Sequence, residues 1–253
     1  MKNDIGLAVI FFALAAAAPA WGAELRVMSG GAPQGALAVL TPKFEQASGR
    51  KVNFTFITLT ALRQKLLAGE KIDVAIVPVP MVDSLAEAGI LDRDHRATLG
   101  VLKLSAIVRE GAPRLDISTP EAFRQALLAA RSVVYSTPTA TPSGAHMAKV
   151  VEQLGIADAL KAKTIYRPAL EGGAELVAKG EAEIGIYPSS EVVHVKGVSV
   201  IGALPAAIQL RTVYGVAVAK GSTSPEAAAA FVRSISDPAV RDVWEKAGFE
   251  APK

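Results

Sequence analysis

Thr141-Pro142-Ser143-Gly144-Ala145-His146-Met147-Ala148-Lys149-Val150-Val151-Glu152-Gln153-Leu154-Gly155 sets the architecture of this chain. Before it comes the short apolar run Ser132-Val133-Val134-Tyr135, and within it Met147, Val150, Val151 and Leu154 recur at helical spacing until Gly155 ends the run. The pattern is a strand, a small polar loop and a helix start. The first N–H groups of a helix have no intrahelical partner, and the aligned peptide dipoles leave partial positive charge there, so such a loop receives an anion without Lys or Arg. The Ser143 hydroxyl either caps the helix or faces a ligand.

The same unit recurs on both sides. Leu25-Arg26-Val27-Met28 reads as a buried strand, the loop 29–35 (Ser29-Gly30-Gly31-Ala32-Pro33-Gln34-Gly35) follows, and 36–48 carries Leu37, Leu40 and Phe44 on one helical face. Lys51 to Ile57 alternates as a strand does, and Thr58-Leu59-Thr60 leads into a helix over 61–67. A third strand, 72–77, stops at Pro78 and Pro80, and a short helix over 81–88 ends at Gly89. Three such units in a row predict a parallel sheet with helices on both faces and right-handed crossovers.

A strand over 102–108 then leads to Arg109-Glu110-Gly111-Ala112-Pro113, where the chain is expected to leave one lobe for another. Thr119-Pro120-Glu121 opens a helix with Phe123, Ala126, Leu127 and Ala130 on its buried face. After the strand and helix of 132–155 come a strand at 164–166, a helix over 173–179 and a strand at 183–187. Strands at 198–201 and 212–218, then helices starting at Ser224-Pro225 and Asp237-Pro238, return the chain to the lobe it began in. Hinge crossings are expected near 103–112 and 203–213. The cleft between the lobes, lined by strand ends, is where open α/β sheets bind ligands.

Composition narrows the function. Of 253 residues 51% are hydrophobic and 20% charged, enough for a well-buried core. The net charge of +3 is small, and the basic residues never run beyond a pair, so no nucleic-acid surface is expected. The absence of Cys removes disulfides, thiolate catalysis and cysteine-held metals. Lys2, the apolar stretch 5–20 and small residues up to Ala20 or Ala23 read as a cleaved export signal, which places the mature protein in the periplasm.

The phrases Phe44-Glu45-Gln46-Ala47-Ser48-Gly49-Arg50-Lys51-Val52, Ile72-Asp73-Val74 and Leu85-Ala86-Glu87-Ala88-Gly89-Ile90-Leu91, together with the order of elements, resemble the periplasmic molybdate-binding proteins of ABC importers. The resemblance implies an α/β, two-lobed, type II periplasmic binding fold, each lobe a mostly parallel sheet flanked by helices, with a two-strand hinge. Its expected parts are a signal over 1–23, lobe one over 24–104 and 209–253, and lobe two over 105–208. It also implies an oxyanion held by hydroxyls and main-chain N–H groups at several helix starts, plus a tyrosine. Thr141-Pro142-Ser143-Gly144 matches one family loop, and Ile186-Tyr187-Pro188-Ser189-Ser190 the strand end that carries the tyrosine. Two loops depart: Ala32 stands where the family has serine, and Thr58-Leu59-Thr60-Ala61 replaces a serine-rich segment.

The candidate ligand residues are Ser29, Gly30, Gly31, Thr58, Thr60, Ser143, Gly144, Tyr187 and Ser189. Each has an ordinary structural role open to it: a tight turn for the glycines, a helix cap for the threonines, a core aromatic for Tyr187. The expected function is the capture of a molybdate- or tungstate-like oxyanion and its delivery to a membrane permease, by a monomer without cofactor or metal. A small organic carboxylate is the alternative ligand, and an exported enzyme on the same fold a more distant one. His95, His146 and His194 form no metal-binding pair, and neither a G-x-S-x-G elbow nor a P-loop is present, so no enzyme is expected.

Overall fold

A computed structural model describes residues 24–168 and 172–252; the expected export signal, with Ala20 and Ala23, lies outside them. The first lobe begins β1 (Leu25–Ser29), α1 (Gln34–Ser48), β2 (Val52–Phe56), α2 (Leu59–Leu67), β3 (Val74–Pro78), α3 (Val79–Glu87). Then β4 (Leu91–Arg109) leads to α4 (Pro120–Ala129), β5 (Val133–Ser136), α5 (Pro142–Gln153), α6 (Ala157–Lys161), β6 (Thr164–Arg167), α7 (Gly173–Lys179), β7 (Ile184–Pro188), α8 (Ser189–Val192) and β8 (Val198–Ala203). The chain closes with β9 (Arg211–Ala219), α9 (Pro225–Ser236), α10 (Arg241–Lys246) and β10 (Phe249–Glu250).

Strands β2, β1 and β3 pair in parallel, and so do β6, β5 and β7. The expectation of parallel sheets therefore holds for the βα units. The strands that join the lobes add antiparallel pairs: β9 lies between β3 and β4, and β7 and β8 both pair with β4. Strand β4 is much longer than the 102–108 expected. Its first part escapes a hydropathy reading because Arg93 to Arg96 are exposed and its pairing with β9 is interrupted twice. From Leu91 to Lys103 it belongs to the first sheet and from Leu104 to Arg109 to the second.

Strand alternation explains the two-faced packing. In β3, Val74 and Ile76 face α1 and α9 with Leu37, Phe44 and Phe231, whereas Ala75 and Val77 face α2 and α3 with Leu62, Leu66 and Leu85. In β5, Val133 and Tyr135 meet Phe123, Met147 and Val150, and Val134 meets Leu176 and Val177. The expected helix at Asp237-Pro238 starts as a single tight turn, with Asp237 Oδ1 accepting from the Ala239 N–H at 2.8 Å, before α10. Three elements do not show in the sequence, α6, α8 and β10, because each is too short to show a period.

Candidate functional site

Between the two sheets lies a cavity of about 630 Å³. The loop after β1 reaches it with Gly30 and Gly31, the start of α2 with Thr58 and Thr60, and the start of α5 with Thr141 and Ser143. Two helix starts from opposite lobes therefore border one space, and a helix start carries N–H groups without intrahelical partners and partial positive charge. Thr58 caps α2, accepting from the Ala61 N–H at 3.4 Å, and Thr141 caps α5, accepting from the Gly144 N–H at 3.0 Å. Ser143 Oγ lies 3.0 Å from Thr141 Oγ1. Leu59, Met81, Leu102, Leu104 and Leu210 form an apolar wall.

Five of the nine expected residues thus line this cavity: Gly30, Gly31, Thr58, Thr60 and Ser143. The other four stand elsewhere. Ser29 is fully buried and its hydroxyl donates to the Gly30 carbonyl at 2.8 Å, because a buried hydroxyl takes the nearest acceptor. Gly144 has its N–H engaged by Thr141, and its Cα lies so close to the loop that a Cβ would sit 2.6 Å from the Thr137 carbonyl oxygen. Ser189 Oγ donates to the Lys103 carbonyl at 3.0 Å and lies 2.8 Å from Ser105 Oγ, tying α8 to β4. Tyr187 lines a smaller cavity of about 340 Å³, 4% exposed, and its hydroxyl has no hydrogen-bond partner among the described residues.

The two cavities share Gly31, Ala32 and Glu191. Arg63, Lys103, Glu191 and Tyr214, none of them among the expected ligand residues, also line the larger one, with Gln64, Ser84 and Thr212. Lys103 is held by Glu250 at 2.6 Å, whereas Arg63 has no ion-pair partner among the described residues. Arg63 lies one turn into α2 from Thr60, so the helical period itself could have exposed it. Glu191 carries no such signal. Solvent in the cleft reaches it, yet protein backs it, and the lost hydration pushes its carboxyl up to about 7. Burial, and then the nearby Glu191, push the Tyr187 and Tyr214 phenols up as well. His146, near Ser143, is structural: its Nε2 meets the Ile208 carbonyl at 2.9 Å. No cluster of three metal-ligating side chains exists among the described residues.

Two sheets joined by β4 and by the 204–210 return, with helix starts facing a cleft between them, define a type II periplasmic binding fold. The chain belongs to the bacterial extracellular solute-binding proteins, whose family pattern it matches over residues 25–250. It is 31% identical over 232 residues to an aconitate isomerase of Pseudomonas sp., covering 89% of this chain and 87% of that one. It is 24% identical over 244 residues to the molybdate-binding protein ModA of Escherichia coli, covering 96% and 95%. Its fold is similar to the periplasmic molybdate-binding protein of Azotobacter vinelandii, with a TM-score of 0.74 at 19% identity over 91% of this chain and 100% of that one.

Proposed function

We propose that this protein is the periplasmic binding component of an ABC importer, and that its cleft captures a small organic anion with two or more carboxylates and passes it to the permease as a monomer. The observation that carries this reading is the make-up of the larger cavity: the starts of α2 and α5, and an Arg63 with no ion-pair partner among the described residues, share it with an apolar wall. A bare doubly charged oxyanion needs aimed donors all round, because an unmet charged acceptor is costly to bury. A carbon skeleton fills the apolar side while its carboxylates take the donors. Molybdate and tungstate, favoured by the ModA relatives, are the competing ligands.

A thermal-shift panel tests this, with propane-1,2,3-tricarboxylate, cis-aconitate, malate and succinate against molybdate, tungstate and sulfate. A ligand at about 100 times its Kd adds roughly 2.7 kcal/mol of stability, a shift of a few degrees. Shifts with the organic acids support the reading; shifts confined to molybdate and tungstate replace it with the oxyanion.

One observation favours a second reading, in which the cleft also isomerises its ligand. Glu191 is a carboxyl poised near neutral pH in that cleft, and one relative is named an aconitate isomerase. Such a base would take a proton from a methylene beside the double bond of an unsaturated carboxylate and return it to the far carbon as the double bond shifts, with no cofactor. Incubation of cis-aconitate in heavy water decides: trans-aconitate carrying deuterium, lost in Glu191→Gln, supports it, and unchanged cis-aconitate rejects it.

A further inference from the structure

Glu191 is an unexpected group in a cleft that receives an anion. It lines both cavities where they meet, and no hydrogen bond or ion pair engages its carboxyl among the described residues. Tyr187 of β7, Glu175 of α7 and His194 line the smaller cavity with it. Tyr214 of β9, Lys103 of β4 and Arg63 of α2 line the larger. Lys103 is already paired with Glu250, and no cation among the described residues lies within ion-pair distance of Glu191. Ionised, Glu191 would repel a carboxylate brought in by the helix starts. Protonated, it offers one more O–H donor at the junction of the two cavities.

We propose that Glu191 binds the ligand in its acid form, donating its proton to a ligand carboxylate, so that capture takes up a proton. This rests on the carboxylate reading of the cleft and adds a ligand-binding residue to it. Burial already pushes the carboxyl up to about 7, so no large rearrangement is needed to protonate it. Below that point the acid form is present and capture needs no proton from solvent. Above it, each captured anion draws one, and affinity falls by up to about tenfold per pH unit.

The test is calorimetric titration of the mature protein and its Glu191→Gln variant with propane-1,2,3-tricarboxylate, near pH 8 in two buffers of different ionisation enthalpy. The wild type is expected to take up close to one proton more than the variant. Its affinity is expected to fall with rising pH beyond the ligand's own titration, which the variant follows alone. Equal proton uptake in both proteins overturns the proposal while leaving the carboxylate reading in place. So does a wild-type affinity that rises with pH, the mark of an ionised Glu191 that accepts from the ligand. Absence of binding by either protein overturns the carboxylate reading and the proposal together. Should the variant fail to fold, the wild-type proton count, corrected for the ligand's own uptake, decides: zero overturns the proposal.

Discussion

Asp73, at the entrance to β3, is the most heavily used polar side chain of the first lobe. Fully buried, it accepts from the Arg26 N–H at 2.8 Å and Nε at 3.2 Å, from Ser222 Oγ at 2.8 Å and from the Thr223 N–H at 3.2 Å. Burial alone would raise its pKa, but these donors, Arg26 first, hold the carboxyl below the usual range. A carboxyl lowered in the folded state stabilises fully above its unfolded pKa of about 3.9 and loses that contribution as pH falls through the folded value. Asp73→Asn is expected to cost about 1–3 kcal/mol in urea unfolding at neutral pH, as the loss of hydrogen bonds to a buried carboxylate does, and to flatten the acid limb of the stability profile. An unchanged midpoint would contradict this role. At the cleft, Thr60→Ala combined with Ser143→Ala is expected to weaken binding of the effective probe by about 2–4 kcal/mol, the loss of two hydrogen bonds to a charged group. Ser29→Ala, whose hydroxyl is spent on Gly30, should leave that affinity unchanged.

At the scale of the element, the α5 start shows why the loop must read as it does. Pro142 occupies the first turn, where no N–H is missed, Thr141 caps it, and Gly144 lets the helix approach Ser136 and Thr137. A Cβ at Gly144 would overlap the Ser136 carbonyl oxygen, so Gly144→Ala is expected to destabilise by about 1–3 kcal/mol and to weaken ligand binding by shifting Ser143. Binding and melting measurements on this variant check both; full affinity with normal melting would mean that the helix start tolerates displacement. This loop was legible because cap, proline and period lie within a few residues of one another. Strand β4 was half legible. Its buried part shows as an apolar run, but its exposed first part gains strand character only from pairing with β9.

The whole molecule turns on two crossings, β4 at Lys103–Leu104 and the return at 204–210. Gln209 ties them together: its Oε1 accepts from the Leu104 N–H at 2.8 Å, and its Nε2 donates to the carbonyls of Leu104 and Leu204 at 3.0 Å each. With the ligand's donors split between lobes, binding is expected to close the cleft by rotation at these crossings. Small-angle scattering should show a smaller radius of gyration on adding the effective ligand, and an unchanged radius would rule closure out. Gln209→Ala takes the side-chain partner from the Leu104 N–H and the Leu204 carbonyl, while the Leu104 carbonyl keeps the Leu204 N–H at 3.1 Å, and is expected to cost about 1–3 kcal/mol in stability.

The sequence by itself determined the βα order, the glycine and proline punctuation, and the loops at helix starts, because caps and hydrophobic periods are local properties of the chain. Which donors share one cavity was decided only by the tertiary structure. Ser189 turns to the Lys103 carbonyl across the fold, Tyr187 falls into the second cavity, and Glu191 and Arg63 reach the cleft from α8 and α2. The physical reason is that a polar side chain's partner, and the hydration that sets its charge, depend on groups far away in sequence, which meet only when the two sheets are joined.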